Sequence, residues 1–300
     1  MSGSLHGALA GICRFFELGR ITGIADSGGC ANTNFRVQTD TGRYVIRISS
    51  EQTTEQIQSE IESLNLLSRS AFPVPHYQCT RHGEFVCETD GMKAVVTRWM
   101  EGEPPLRLSP RMMAGLATTL AALHQVDPRP FPQRTTWWHP DYLATRLEIA
   151  RSRFGESLVN GLARKIRASM SQSTPGLPTG IVHGDPWSGN TLFKGEELVG
   201  LIDWEETATG HPVYDLAYAA VHNCFPDDRY EPVLFETLVT AYEEVRKLSD
   251  WEKRGFSKVV DRIVCTNSLW LLLKSKRNAD PEHLSLYSWY QSLRLDRLQL

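Results

Sequence analysis

Three side chains, Asp185, Asn190 and Asp203, have the types and the order that metal-assisted transfer of a phosphoryl group requires. A carboxylate can accept the proton of a hydroxyl nucleophile. An amide oxygen and a second carboxylate are a sufficient protein share of a Mg²⁺ site, because that ion completes its octahedron with water and phosphate oxygens. The stretch from Ile181 to Glu205 reads I-V-H-G-D-P-W-S-G-N-T-L-F-K-G-E-E-L-V-G-L-I-D-W-E. Thr191 to Phe193 and Leu198 to Ile202 are apolar, β-prone runs around a Gly-containing turn, Lys194 to Glu197, and this predicts a β-hairpin. The two ends of a hairpin lie side by side, so Asn190, before the first strand, is expected beside Asp203, after the second. Asp185, on the preceding loop, is the candidate general base. His183 reads as support for that loop, and Trp187 and Ser188 as candidates for substrate contact. Each piece alone is an ordinary turn or strand end, whereas the ordered composite is specific.

These groups need a large framework around them. At 300 residues and 41 % hydrophobic, the chain is long enough for two lobes, expected over 1–100 and 101–300, since single cores stop growing near roughly 250–300 residues. A formal charge of -3 and scattered basic residues give no sign of a nucleic-acid or anionic-membrane partner. Six cysteines, far apart and without a C-x-x-C pair, are expected as reduced thiols. There is no basic-then-apolar leader pattern and no membrane-length apolar run, so a soluble cytoplasmic enzyme is expected. Nothing in the sequence points to a particular oligomeric state. The nine histidines lack zinc-site spacing, and Ser188 stands in W-S-G rather than G-x-S-x-G, which disfavours zinc and covalent-hydrolase chemistry.

Along the chain, Leu5 to Gly19 has the apolar spacing of an amphipathic helix. Asn34 to Val37 and Tyr44 to Ile48 read as paired strands around Asp40-Thr41-Gly42. The bend before them contains Gly28 and Gly29, whose backbone N–H groups could approach phosphates closely. Arg47 lies in the second strand. A helix follows at about Thr53 to Ser68, carrying Glu55, Glu60 and Glu62. Ala71 to Pro75 breaks it, and strands are expected at Glu84 to Cys87 and Lys93 to Arg98. Further helices are expected from Ser109, as N-cap, to Gln125, over Tyr142 to Met170, from Pro232 to Lys247 and from Asp250 to Lys276. Ser171 to Thr179 is a breaker cluster. His124 reads as a structural hydrogen bonder at a helix end.

H-G-D-x-x-x-x-N followed by I-D-W-E, with Gly210 to Ala217 as G-H-P-V-Y-D-L-A, resembles the aminoglycoside phosphotransferase superfamily. That resemblance implies an α+β, bilobal protein-kinase-like fold. Its N-lobe would be an antiparallel sheet with one helix, and its larger, mainly helical C-lobe would carry the catalytic hairpin. It implies ATP and Mg²⁺ as cofactors and a small-molecule hydroxyl compound as substrate. By the same resemblance Arg47 stands where the family's phosphate-pairing Lys usually stands, Glu60 matches its partner with Glu55 and Glu62 as competitors, and Arg98 and Met100 would offer main-chain bonds to adenine. Asp215 would brace the catalytic loop.

Gly29 to Phe35 and Ala241 to Glu252 resemble G-x-x-N-T-N-[YF] and A-Y-x-x-V-R-x-L-[ST]-x-x-E of the type II homoserine kinases in that superfamily, although I-D-W-E and Arg47 depart from them. The expected acceptor is therefore homoserine-like, with an aminoglycoside second. A mixture of acids (Glu231, Glu236, Glu243, Glu244, Asp250) and bases (Arg246, Lys247, Lys253, Arg254) suits a small zwitterion better than a polycation. A protein Ser/Thr kinase is disfavoured by the lack of D-F-G and A-P-E. A non-catalytic nucleotide-binding module is disfavoured by the intact Asp185, Asn190 and Asp203.

Overall fold

The computed structural model describes residues 3–28, 32–49, 52–89, 92–132, 134, 138–170, 176–274, 289–290, 293 and 295–300. By its contacts the chain divides into two units. One is Met1–Gly102 with Val199–Glu205, and the other is Glu103–Leu198 with Glu206–Leu300.

In the first unit, β1 (Ile21–Gly28), β2 (Thr33–Thr39), β3 (Arg43–Ser49), β4 (Cys87–Thr89) and β5 (Met92–Arg98) form one antiparallel sheet in the order β1-β2-β3-β5-β4. Successive residues of a strand point to opposite faces. Ile46 and Val96 join Phe35 and Val37 under Leu9, Ile12 and Phe16, from α1 (Gly3–Phe15) and the residue just beyond it. Val95 instead meets Ile57 and Ile61 of α2 (Thr54–Ser68), so Arg47, its cross-strand partner, faces α2 as well. A capping box starts α2, in which the Thr53 hydroxyl accepts the Gln56 N–H and the Gln56 side chain accepts the Thr53 N–H. The strand expected at Glu84 to Cys87 begins only at Cys87. Glu84 is bonded instead into a local turn, its carbonyl accepting the Thr80 N–H at 2.9 Å. The distant piece Val199–Glu205 joins this unit through the Leu201 N–H, which donates to the Pro73 carbonyl at 2.9 Å, and through Trp204, fully buried and edge-on to Phe72.

The second unit is mainly helical, with α3 (Pro110–Leu123), α4 (Pro140–Phe154), α5 (Glu156–Met170), α6 (Val213–Asn223), α7 (Pro232–Val245) and α8 (Asp250–Lys274). The helical stretch expected over 142–170 divides into two helices, because Gly155 at φ 81° ends α4. Leu143, Leu147, Val159, Leu162 and Ile166 of this pair form a core with Leu269 and Leu272 of α8. Elsewhere α3 packs along α7. Two three-residue strands, β6 (Gly180–Val182) and β9 (Ala208–Gly210), pair antiparallel at the two sides of the catalytic segment. Between them β7 (Thr191–Lys194) and β8 (Glu197–Leu201) form the hairpin, turning at Gly195 with φ 63°. The chain passes into the first unit within β8. Among the described residues no helix is long and apolar enough to cross a membrane.

Candidate active site

Within the first unit, a single buried cluster surrounds Arg47. Its Nη1 and Nη2 donate to Glu60 Oε1 (3.0 Å) and Oε2 (2.8 Å), and Nη2 also donates to the Tyr77 hydroxyl at 3.0 Å. Tyr77 in turn donates to Glu60 Oε1 at 2.5 Å. Of the three candidate glutamates, then, Glu60 meets Arg47. Burial alone would lower the guanidinium pKa, but Glu60 and Tyr77, with Asp203 adding to them, hold it well above its ordinary value. Burial first, then the Glu60 charge against the opposing Arg47, holds the Tyr77 phenol well above its usual range, so it remains a donor. Arg47 Nε is buried and has no hydrogen-bond partner among the described residues, leaving a donor of the kind a phosphate oxygen would satisfy.

Asp203, exposed after β8, sits at φ 63°, a left-handed conformation that Asp tolerates better than most residues. Its neighbour Trp204 fixes the strand end by donating Nε1–H to the Leu201 carbonyl at 2.8 Å. Asn32 donates to Glu205 at 2.8 Å, joining the N-T-N and I-D-W-E stretches. At the other candidate nucleotide contacts, the Arg98 N–H donates to the His76 carbonyl, so only its carbonyl remains to meet an adenine amino group. Met100 is half-buried two residues on. Arg36 lies over the Trp99 ring at 4.4 Å. Gly28 ends β1, and Gly29 lies outside the described residues.

In the second unit, Asp215 at the start of α6 organises the loop between β6 and β7. Its carboxylate, fully buried, accepts the N–H groups of His183 (2.7 Å) and Gly184 (2.9 Å). Gly184 has φ 92°, and a Cβ there would meet the Glu206 carbonyl oxygen at 2.8 Å, so the H-G-D glycine is required twice over. His183 Nδ1 accepts the Asp185 N–H at 3.2 Å. Asn190 donates Nδ2–H to the Asp185 carbonyl (2.9 Å) and to its carboxylate Oδ2 (2.7 Å). The Asn190 side-chain oxygen is thereby oriented away from that carboxylate, where a cation could use it. Ser188 donates its N–H to Asn223 Oδ1 at 2.9 Å, and Trp187 is 42 % exposed at the tip of the loop.

Behind Asp185 lies a polar cluster. The half-buried Tyr218 directs its hydroxyl at the Asp185 carboxylate and Asn267, and withdrawal of the phenol from water, ahead of the Asp185 charge, holds its pKa well above the ordinary range. Asn267 also donates to the Tyr290 hydroxyl (3.0 Å) and to His222 Nε2 (3.1 Å). Beside the loop opens a cavity of about 420 Å³ lined by Ser188, Asn223 and His222, with Arg107, Glu231 and the apolar Leu108 and Leu234. Arg107 ion-pairs with Asp227.

Of the acids and bases expected to flank the acceptor, Lys253 pairs with Glu243 at 2.9 Å and Arg254 with Asp250 at 4.0 Å, while Arg246 pairs at 2.9 Å with Glu252, which was not among them. Glu231 alone of that group lines the cavity. The sequence reading missed Tyr77, Tyr218, Asn223, Arg107 and the whole Asn267 cluster. Each is a single polar residue in a stretch without motif spacing, so no local signal marks it.

A family model described as "Phosphotransferase enzyme family" matches residues 22–256. The homoserine kinase of Polaromonas naphthalenivorans (strain CJ2) is 27 % identical over 255 residues, 81 % of this chain and 79 % of that protein. The homoserine kinase of Xanthobacter autotrophicus (strain ATCC BAA-1158 / Py2) is 28 % identical over 259 residues, 81 % and 78 % of the two chains. Among solved structures, an amicoumacin kinase in complex with AMP-PNP and Ca²⁺ shares the fold with a TM-score of 0.77 at 12 % identity, covering 98 % of this chain and 93 % of that one. Sequence, fold and loop architecture thus agree, and the chain belongs to the phosphotransferase enzyme family, as a small-molecule kinase.

Proposed function

We propose that the chain transfers the γ-phosphoryl group of ATP to a hydroxyl of a small polar metabolite, homoserine-like first, bound in the cavity beside Ser188. The observation that carries this reading is the Asp185 carboxylate, fixed by the Asn190 amide and the Tyr218 hydroxyl on a loop that also lines that cavity. Asp185 is the general base, oriented to take the proton of the acceptor hydroxyl. Asn190 and Asp203 are the oxygen donors suited to Mg²⁺. When bound, that ion neutralises charge on the phosphate oxygens. Arg47, held in place by Glu60 and Tyr77, adds a fixed positive charge for the phosphates, and the loop that begins at Gly28 is the candidate to cover them. The Arg98 carbonyl and the Met100 N–H take the adenine edge. Because a loose transition state asks little covalent chemistry of the protein, positioning and charge supply most of the acceleration.

One guanidinium, Arg107, and one carboxylate, Glu231, among apolar side chains suit a zwitterion better than a polycationic aminoglycoside. The homoserine kinase relatives support the same ranking. A second reading, a larger hydroxyl antibiotic, is favoured by the cavity itself. Its 420 Å³ falls within the roughly 300–1,000 Å³ of sites for drug-sized ligands, and Leu106 at its rim is 95 % exposed. Incubation with ATP, Mg²⁺ and L-homoserine, with product detection by mass, tests the first reading. O-phosphohomoserine is expected, and its absence alongside efficient phosphorylation of an antibiotic would reverse the ranking.

A further inference from the structure

A file of hydrogen bonds, half-buried at Arg246 and buried from Tyr242 onward, runs from the start of α8 to the catalytic loop. Glu252, fully buried, accepts from Arg246 Nη1 at 2.9 Å and from the N–H and hydroxyl of Ser249 at 2.9 and 3.0 Å. Arg246 Nη1 also donates to the Tyr242 hydroxyl at 3.0 Å. The Tyr242 hydroxyl meets His124 Nδ1 at 2.6 Å, and His124 Nε2 meets Asp215 Oδ2 at 3.0 Å. Asp215 is the residue that holds the His183 and Gly184 N–H groups.

The donor and acceptor roles along this file are mutually consistent. A carboxylate only accepts, so His124 donates from Nε2, and in the tautomer that carries a single ring proton Nδ1 then accepts. Arg246 can only donate, so it occupies a lone pair of the Tyr242 oxygen and leaves the O–H proton for His124. Every member has one role, and each fixes the rotamer of the next. Away from water, such a chain is rigid when complete and unfavourable when one member is missing.

We infer that Tyr242, Arg246 and Glu252 are positioning residues for the His183-Gly184-Asp185 loop, acting through His124 and Asp215. The inference rests on Asp185 being the base. It gives the Ala241 to Glu252 stretch, which by resemblance marks homoserine kinases, a task at the loop. None of Tyr242, Arg246 and Glu252 lines the cavity beside Ser188. Acceptor choice then belongs to cavity residues such as Glu231, and loop geometry to this stretch.

Tyr242→Phe deletes one hydroxyl and keeps the ring. Misplacing a reacting group by about 1 Å can lower the rate ~100-fold, so a partial loosening is expected to lower kcat at least ~10-fold. The KM values for nucleotide and acceptor are expected to stay within about twofold, and the factor to be the same for every acceptor phosphorylated. Arg246→Lys, which keeps the ion pair with Glu252, is expected to retain more kcat than Arg246→Gln. In the Asp185→Asn background, Tyr242→Phe is expected to lower the residual rate no further. A folded Tyr242→Phe enzyme with parental kcat overturns the inference, as does a change confined to the acceptor KM. If Tyr242→Phe does not fold, equal kcat in the two Arg246 variants overturns it instead. Full turnover by Asp185→Asn alone would remove the base reading on which the inference rests, so the two failures are separable.

Discussion

Arg47 is held by three hydrogen bonds to Glu60 and Tyr77, and this changes what its removal should do. Arg47→Ala leaves Glu60, 2 % exposed, as a buried unpaired charge, which destabilises by about 3–5 kcal/mol. Lost activity in that variant would therefore mix folding with chemistry. Arg47→Met combined with Glu60→Leu is expected to recover part of the melting temperature, because apolar side chains of similar volume can replace a buried pair, while the Tyr77 hydroxyl is left without its two partners. The nucleotide KM should stay raised while the acceptor KM is unchanged, as steady-state kinetics on the double variant would report. His222 titrates separately from this group. Its Nδ1–H goes to the Tyr218 carbonyl, its Nε2 meets Tyr290 and Asn267, and burial lowers its pKa from 6.5 to about 4. The unfolded chain binds a proton below pH 6.5 that the folded chain refuses until about pH 4. Stability contributed by neutral His222 is thus complete above pH 6.5 and lost as the pH falls toward 4, with a slope approaching ~1.4 kcal/mol per pH unit. Denaturant titrations across that window should show His222→Gln losing about one proton's worth of slope. An unchanged slope would contradict the assigned environment.

At the level of elements, the β6-to-β9 segment shows what local sequence can and cannot announce. The hairpin was legible because turn chemistry and β-prone runs are local, and H-G-D-x-x-x-x-N because its members share one loop. Glu60 was legible by resemblance, with Glu55 and Glu62 as competitors; strand alternation turns Arg47 toward α2, and the buried face of α2 that carries Ile57, Glu60, Ile61 and Leu64 selects Glu60. The three-residue strands β6 and β9 were not legible, since they are too short for alternation and their pairing spans the whole segment. Likewise His124 and Asp215, 91 positions apart, share no local pattern. The return of Val199–Glu205 to the first unit depends on Pro73 and Phe72, equally distant in sequence. Gly184 carries a prediction at this scale. A Cβ would meet the Glu206 backbone at a φ of 92°, adding strain of about 1–3 kcal/mol in the loop that ends at Asp185. Gly184→Ala is expected to fold with a lower melting temperature and to lose at least ~10-fold in kcat. A parental kcat would mean that the loop tolerates displacement.

For the whole molecule, the proposed roles predict linked binding. Nucleotide with Mg²⁺ at about 100 times its Kd should add roughly 2.7 kcal/mol of stability, read as a raised melting temperature. A chelator should remove most of that gain together with turnover. Asp203→Ala should lose the metal-dependent part of the gain even with Mg²⁺ present, since one of two protein oxygen donors is gone. An Asp203→Ala protein stabilised as well as the parent would contradict the metal assignment. In the proposed mechanism Asp185 takes the proton of the acceptor hydroxyl, and steady-state kinetics of Asp185→Asn report on that step alone. General-base catalysis contributes about 10²–10⁴-fold, so kcat is expected to fall by around 10³ while nucleotide KM stays within about twofold. Turnover near the parental rate in a folded Asp185→Asn enzyme would contradict it.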